Sequence, residues 1–553
     1  MQSFLQYRRL RKAAHAQVGD ANAAGAPGIP TPSHTCTLPT ESLGDRTNFQ
    51  GSIPGINVQT SGDRDVESSL LFIVTWAGDQ DAENPRNFSM ARRLTATLLV
   101  SILGCIVGVA SSVYSGVAPQ MPRPSATAFS THSPKGSALT FTGIYLLGFA
   151  AGSLVSGPLS EVLGRNLVYV SSLTLFIIFV MASALAPNFG AQLAFRFLSG
   201  VFGCPPLTCA GGTIADLWNP LEKTTYFPMY AIISFCGPAM GPLIASYIGQ
   251  TDVLSWRWAG WIVTIMSGAV LVLIVFFQPE TYSPLLLSWR AKHLRAATGD
   301  GRFRCEMDVD HISLGRRIGR AMRNQFLITI HEPIVLLISL YMTVVYIVLF
   351  TFLDGYAYIY TDVHGLSQGL TNIIWVAMVI GIVCAAFLVP PAYIWTRKLL
   401  RENAEGRFSD GFHIQPEQRL WYAMLGAPLI PISLFWMAWT DFARISVWSP
   451  IIASAVFGLG TICIFISSYM YVIDCYHIYA ASALAFMTVS RYAAAGVMTV
   501  VGIPFYRNMG VQWTLTILGC IGAALVPVPF VFYCSGPTIR KWSKFAESQD
   551  SKV

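Results

Sequence analysis

Twelve apolar stretches, each long enough to cross a bilayer, constrain this chain more than any other feature of it. They run Leu94–Val117, Ala138–Val162, Asn166–Leu185, Ala191–Leu217, Tyr226–Ile248, Trp258–Phe277, Pro333–Tyr358, Leu370–Pro390, Leu420–Trp439, Ser449–Tyr471, Ala480–Phe505 and Trp513–Phe532. In hydrocarbon every backbone N–H and C=O must find its partner inside the protein, so spans of this length are read as helices. The hydrophilic gap Gln278–Glu332 divides them six and six. Two six-helix halves joined by a long linker produce that division. The expected fold is an all-α membrane protein of twelve transmembrane helices in two pseudo-symmetric halves, residues 90–277 and 333–532, with a linker at 278–332.

Composition agrees: 53% of the 553 residues are hydrophobic and 12% charged, far from soluble usage. The net charge of +7 is not a nucleic-acid footprint, because the basic residues fall between spans rather than on one face. Arg8, Arg9, Arg11, Lys12, Arg92, Arg93, the linker arginines from Arg290 to Arg323, Arg397, Lys398, Arg401, Arg540, Lys541 and Lys544 share one side of the predicted topology. The other side holds only Arg123, Lys135, Arg257, Arg444 and Arg507. The positive-inside rule then puts both termini in the cytoplasm, with the plasma membrane expected and an internal membrane as the alternative. Residues 1–89, rich in Gly, Ala, Pro, Ser and Thr, read as a disordered cytoplasmic tail, and 533–553 as a second cytoplasmic tail. The tail has no early apolar region of the kind a cleaved signal needs. Asn87-Phe-Ser lies on the cytoplasmic side and is a chance glycosylation match.

Cys36 and Cys305 fall in tail and loop, and the other cysteines in or beside spans, so no disulfide frame is indicated. No Cys/His cluster has zinc-ligand spacing, and no nucleophile–base constellation or Walker motif is present. No catalytic residues, metal or cofactor are expected. In the linker, Arg316, Arg317, Arg320 and Arg323 alternate with Ile312, Leu314, Ile318 and Met322, which suits either a helix on the anionic leaflet or a solvated one.

Four features inside the spans bear on function. Gly237-Pro238 and Gly241-Pro242 interrupt the fifth span: each proline frees a carbonyl, that of Ser234 or Pro238, while the glycines, extended by Ala245 and Gly249, make a small face that another helix can approach. Between the second and third spans, Gly157-Pro-Leu-Ser-Glu161-Val-Leu-Gly164-Arg165 makes a tight charged turn in which Glu161 and Arg165 can pair with each other or with a neighbouring helix end. Arg196 in the fourth span and Arg491 in the eleventh must face the bundle interior or a wet cavity, since an arginine within a span costs about 2.5–3.5 kcal/mol on insertion scales. Tyr346, Phe350, Asp354 and Tyr358 recur at i+4 along the seventh span, a stripe able to stack on a flat substrate while Asp354 takes a proton; the alternative is an interfacial aromatic belt with Asp354 in water. Asp216 and Asp474 look like gate ion-pair members, and Ser467, Ser468, Tyr469 and Tyr471 like candidates for a cavity wall.

At these residues the chain resembles the major facilitator superfamily. The turn Gly157–Arg165 matches its loop 2–3 motif, Arg196 with Gly200 its fourth-helix motif, and the Gly-Pro pairs the fifth-helix motif of its antiporter branch. Trp76-Ala-Gly-Asp, Glu83-Asn-Pro-Arg86-Asn-Phe-Ser, Pro279-Glu280-Thr281-Tyr282, Arg491-Tyr492 and Gly502-Ile-Pro504 add a resemblance to the fungal twelve-span drug:proton antiporters over about residues 75–545. The resemblance implies export of small organic compounds (drugs, toxins or a secondary metabolite) by proton antiport with alternating access. It casts Arg196 as the central charge of the first half, the Gly157–Arg165 turn with Asp216 as a cytoplasmic gate, and Gly237, Pro238, Gly241 and Pro242 as the antiporter motif. Partners would be the substrate, protons and lipid, with the chain a monomer. Two departures stand out: Ala245-Ser246 replaces a frequent Gly-Gly, and no Asp or Glu lies near the centre of a span, which leaves Asp354 as the coupling candidate. An uptake symporter is the alternative within transport, and a non-transporting receptor the alternative outside it. The small ladders Gly148, Gly152, Ser156 in the second span and Ala377, Gly381, Ala385 in the eighth are expected, with that of the fifth, to serve as sliding surfaces between the halves.

Overall fold

A computed structural model describes residues 1–23, 55–60, 70–78, 80–120, 134–248, 254–309, 314–404, 415–442, 444–476 and 480–540. Cys36, Gly249, Ile312 and residues 541–553 of the expected second tail lie outside them. Among the described residues, eleven helices are long and apolar enough to cross a membrane. The last, Ser482–Arg540, has 59 residues; at 1.5 Å each it would run about 90 Å, against a hydrocarbon core of about 30 Å. It breaks at Gly510, where φ is 78° and ψ 170°. Two crossings result, the eleventh and twelfth.

In the first half the first helix (Met90–Val117) packs on the fifth (Pro220–Ala245), the second (Thr140–Leu163) on the fourth (Phe189–Leu217), and the third (Arg165–Leu185) on the sixth (Trp258–Phe277). In the other half the seventh (Pro333–Thr361) packs on the eleventh, and the eighth (Gln368–Glu402) and ninth (Pro416–Thr440) on the tenth (Trp448–Tyr476). The halves meet where the second faces the eleventh and the fifth faces the eighth.

Local chemistry fixes the ends. Asn219, Pro220 and Glu222 start the fifth helix with a capping box, and Asn188 Oδ1 accepts the Ala191 N–H at 2.8 Å to start the fourth. Inside the fifth helix the carbonyl freed by Pro242 is that of Pro238, and the Ser112 hydroxyl of the first helix donates to it at 2.6 Å. The backbone debt left by the second Gly-Pro pair is thus settled by a neighbouring helix, as the membrane interior demands.

The small faces do not lie where sliding between halves would put them. A Cβ on Gly237 would strike the Cys105 carbonyl, and one on Gly241 the Ser112 hydroxyl, so the motif face is locked to the first helix, whose Gly104, Gly108 and Gly116 answer it. Gly148 and Gly152 press on Phe197 and Val201 of the fourth helix, and Gly381 on Ala455 of the tenth. All three ladders serve packing within a half, because a close backbone approach fits a permanent contact as well as a sliding one. Between the halves, Gly143 comes close to Gly496 and Thr499, and Gly211 to Leu484 and Ile473.

The first tail is not featureless either. Gln2–Ala23 is a helix lying on the linker helix Ser283–Thr298. β1 (Ile56–Thr60) pairs antiparallel with β2 (Leu70–Val74), which pairs parallel with the linker's β3 (Phe303–Arg304). Ala14, Val18, Ile56, Phe72, Val74, Ala291, Leu294, Phe303 and Cys305 close a small separate core. The tail sequence offers too few apolar residues to fold alone, and the linker supplies the missing face. A second linker helix, Leu314–His331, reaches the second and eleventh helices with Arg316, Arg320 and Arg323 exposed.

Candidate functional site

Between the halves lies a narrow, apolar cavity of roughly 50 Å³. The first, second, fourth and fifth helices line it with Gly104, Gly108, Ser111, Leu146, Phe149, Leu207, Ser234, Phe235, Pro238 and Ala239, and the seventh, eighth and eleventh with Tyr346, Leu349, Phe350, Leu353, Trp375, Met378 and Tyr492. Pro238 of the Gly-Pro pairs thus reaches the cavity wall, while Gly237 and Gly241 face away to the first helix.

Arginines stand behind this wall on both sides. Arg491 is fully buried, its guanidinium 4.8 Å from the Tyr346 ring centroid, 4.7 Å from Tyr492, 5.0 Å from Tyr469 and 5.2 Å from Phe465. Arg196 is 1% exposed; it donates to the Ala110 carbonyl at 2.8 Å and lies over Tyr114 and Tyr145 at 4.5 and 4.8 Å. Rings connect the two: Tyr145 to Phe149 at 5.0 Å, and Phe149 to Tyr492 at 5.3 Å across the boundary between halves.

The stripe of the seventh helix divides. Tyr346 and Phe350 line the cavity, but Asp354 and Tyr358 do not. The α-helix ends at Asp354 and a π-helical turn, Ala357–Val363, follows, so the i+4 phase is lost and Tyr358 stacks on Tyr506 instead, at 5.6 Å and 12°. Asp354 is not wet: it is 7% exposed, with Oδ2 against Gly502 and without a hydrogen-bond partner among the described residues. Ser467, Ser468, Tyr469 and Tyr471 are buried but none lines the cavity.

Charge closes the end of the bundle nearest the linker. Lys223 Nζ meets Asp474 Oδ1 at 2.6 Å and Arg419 Nε meets Oδ2 at 2.7 Å; Arg419 also donates to Thr224 Oγ1 at 2.6 Å and to the Pro220 carbonyl at 2.7 Å. This cluster staples the fifth helix of one half to the ninth and tenth of the other. Beside it Arg165 pairs with Asp216 at 3.5 Å and donates to Ser160, so the neighbouring helix end, not Glu161, is its partner; Glu161 makes no ion pair among the described residues. Gly164 has φ +90°, and a Cβ there would crowd the Glu280 carboxylate. Glu280 accepts the N–H groups of Arg165, Asn166, Thr281 and Tyr282 at 2.9–3.1 Å, capping the third helix. Burial still pushes its carboxyl above the ordinary value, against those four bonds. The N-terminal helix docks here as well, Gln6 exchanging hydrogen bonds with the Glu280 backbone and Asn166 donating to Ser3.

At the opposite end the cross-half contacts are neutral: Gln368 Nε2 and Asn372 Nδ2 donate to the Gly116 carbonyl at 2.6 and 3.3 Å. Contacts between halves therefore exist at both ends of the cavity.

The sequence model of the Major Facilitator Superfamily matches residues 100–499. The chain belongs to the major facilitator superfamily. It is 41% identical to the MFS-type transporter kojT of Aspergillus flavus, over 98% of this chain and all of that one, and 34% identical to the MFS-type efflux pump MFS2 of Trichophyton rubrum, over 87% and 78%. The proton:xylose symporter XylE shares its fold, with a TM-score of 0.57 at 14% identity over 81% of this chain and 97% of that one. It is a multi-pass membrane transporter of this superfamily, with an all-α fold. Lys223, Arg419 and Glu280 were missed as site residues because charges at helix ends read as topology; the Asp474–Lys223 spacing of 251 residues carries no local signal.

Proposed function

We propose that this transporter exports small organic compounds by proton antiport, alternating between states in which the cavity opens to one side or the other. The observation that carries this is the aromatic cavity between the halves, with breakable polar contacts joining them at each end. Export by antiport is favoured by the Gly-Pro motif and by the description of the Trichophyton rubrum relative as an efflux pump. In this reading the termini are cytoplasmic, the membrane is the plasma membrane and the chain acts as a monomer. The linker-end cluster, with Gly157, Glu161, Gly164, Arg165 and Asp216, forms the cytoplasmic gate. Tyr346 and Phe350 hold the substrate, an amphipathic toxin or secondary metabolite, and Arg196 is the central charge of the first half. Asp354 is the proton site: a carboxyl that is buried without a cation suits a group that holds a proton there and yields it when wetted. In cells lacking the chain, at least one compound of an amphipathic panel accumulates; restoring the chain reverses this, and Arg196→Ala does not. An unchanged panel would refute export.

A further inference from the structure

Five arginines are buried among the described residues: Arg165, Arg196, Arg290, Arg419 and Arg491. Three meet a carboxylate, Arg165 at Asp216 (3.5 Å), Arg290 at Asp81 (2.7 Å) and Arg419 at Asp474 (2.7 Å). Arg196 and Arg491 meet none among the described residues, and these are the two that flank the cavity. Arg491 keeps Nε and Nη1 buried without a hydrogen-bond partner, and Arg196 keeps Nε so. The other three buried arginines are each neutralised by a carboxylate; these two cations are left uncompensated, at the cost that burial of an unpaired charge entails. The cavity wall itself carries no acidic side chain. Asp354, the nearest carboxyl along the seventh helix, is turned to Gly502 of the eleventh.

We infer that the cavity selects a small aromatic anion over neutral or cationic compounds of the same shape. The rings of Phe149, Tyr346, Phe350 and Tyr492 stack on the aromatic body, and the acid group supplies the counter-charge that Arg491 lacks one ring-thickness behind Tyr346 and Tyr492. Arg196 adds its field through Tyr145 and Phe149. The inference rests on the proposed function only in taking this cavity as the cargo site.

The test is equilibrium binding to the full-length protein in nanodiscs, with benzenesulfonate, benzenesulfonamide and phenyltrimethylammonium as anionic, neutral and cationic probes. The anion is expected to bind about tenfold more tightly than either of the others, a preference that Arg491→Gln removes and Arg491→Lys keeps in part. Equal or tighter binding of the cation, no binding of the anion, or an unchanged ratio in Arg491→Gln would overturn it. The native ratio decides the matter even where a variant fails to fold. No gradient is applied, so a failure of pH-driven export leaves this ratio standing, and a lost ratio leaves export standing.

Discussion

Asp441 and His364 show what burial does to charge at the edge of the membrane. The two sit 3.0 Å apart between the seventh and ninth helices at the end of the bundle far from the linker. Burial lifts the Asp441 carboxyl to about 6, against the pull of His364. Because the folded value is raised, its contribution to stability is complete below the unfolded value of 3.8 and is lost as pH rises through about 6. Asp441→Asn is therefore expected to flatten the fall in melting temperature between pH 4 and 6; an unaltered profile would mean that Asp441 does not titrate there. Asp81 runs the other way. Burial would raise it, but the Ala77 and Glu83 N–H groups and Arg290 outweigh that and lower it, so it stabilises the small tail-and-linker core until acid protonates it. At this scale the sequence made Arg196 and Arg491 legible, since a charge inside an apolar run is conspicuous. It did not show that both lack a carboxylate, because partners are chosen by the fold.

The fifth helix carries the clearest lesson among the elements. Its glycine spacing announced a close neighbour, yet spacing alone does not say which helix comes close; the first helix does, through Gly104 and Gly108. Gly237→Val would drive a branched side chain into the Cys105 carbonyl, and overpacking of this kind costs about 1–3 kcal/mol. The expected result is a lower melting temperature in detergent with the halves' contacts intact, whereas Ala239→Gly, at the cavity, should melt nearly as the native protein does. The seventh helix failed in a different way. Periodicity from Tyr346 to Tyr358 assumed an unbroken α-helix, and the turn after Asp354 ended the phase. The tail helix Gln2–Ala23 was hidden because its apolar partners lie almost three hundred residues away in the linker.

Across the whole molecule, the six-and-six division was fully legible, because hydrocarbon imposes one length and one backbone solution on every crossing. What was not legible is the asymmetry of the two ends. One is held by a buried cluster of two cations on Asp474, the other by amides on the Gly116 carbonyl. Asp474→Asn leaves Lys223 and Arg419 buried without their counter-charge, a loss of about 3–5 kcal/mol for the closed linker end. Spin labels placed on the fifth and tenth helices at that end should then report a longer distance than in the native protein; an unchanged distance would show that the cluster is not what holds the end shut.

Proton-coupled export is tested most directly in proteoliposomes holding the purified protein, a compound identified by the accumulation panel, and a trapped pH dye. The account predicts that compound and protons move in opposite directions, that reversing the pH gradient reverses compound flux, and that Asp354→Asn binds the compound but loses this dependence. Compound and protons moving in the same direction, or flux indifferent to the gradient, would contradict it.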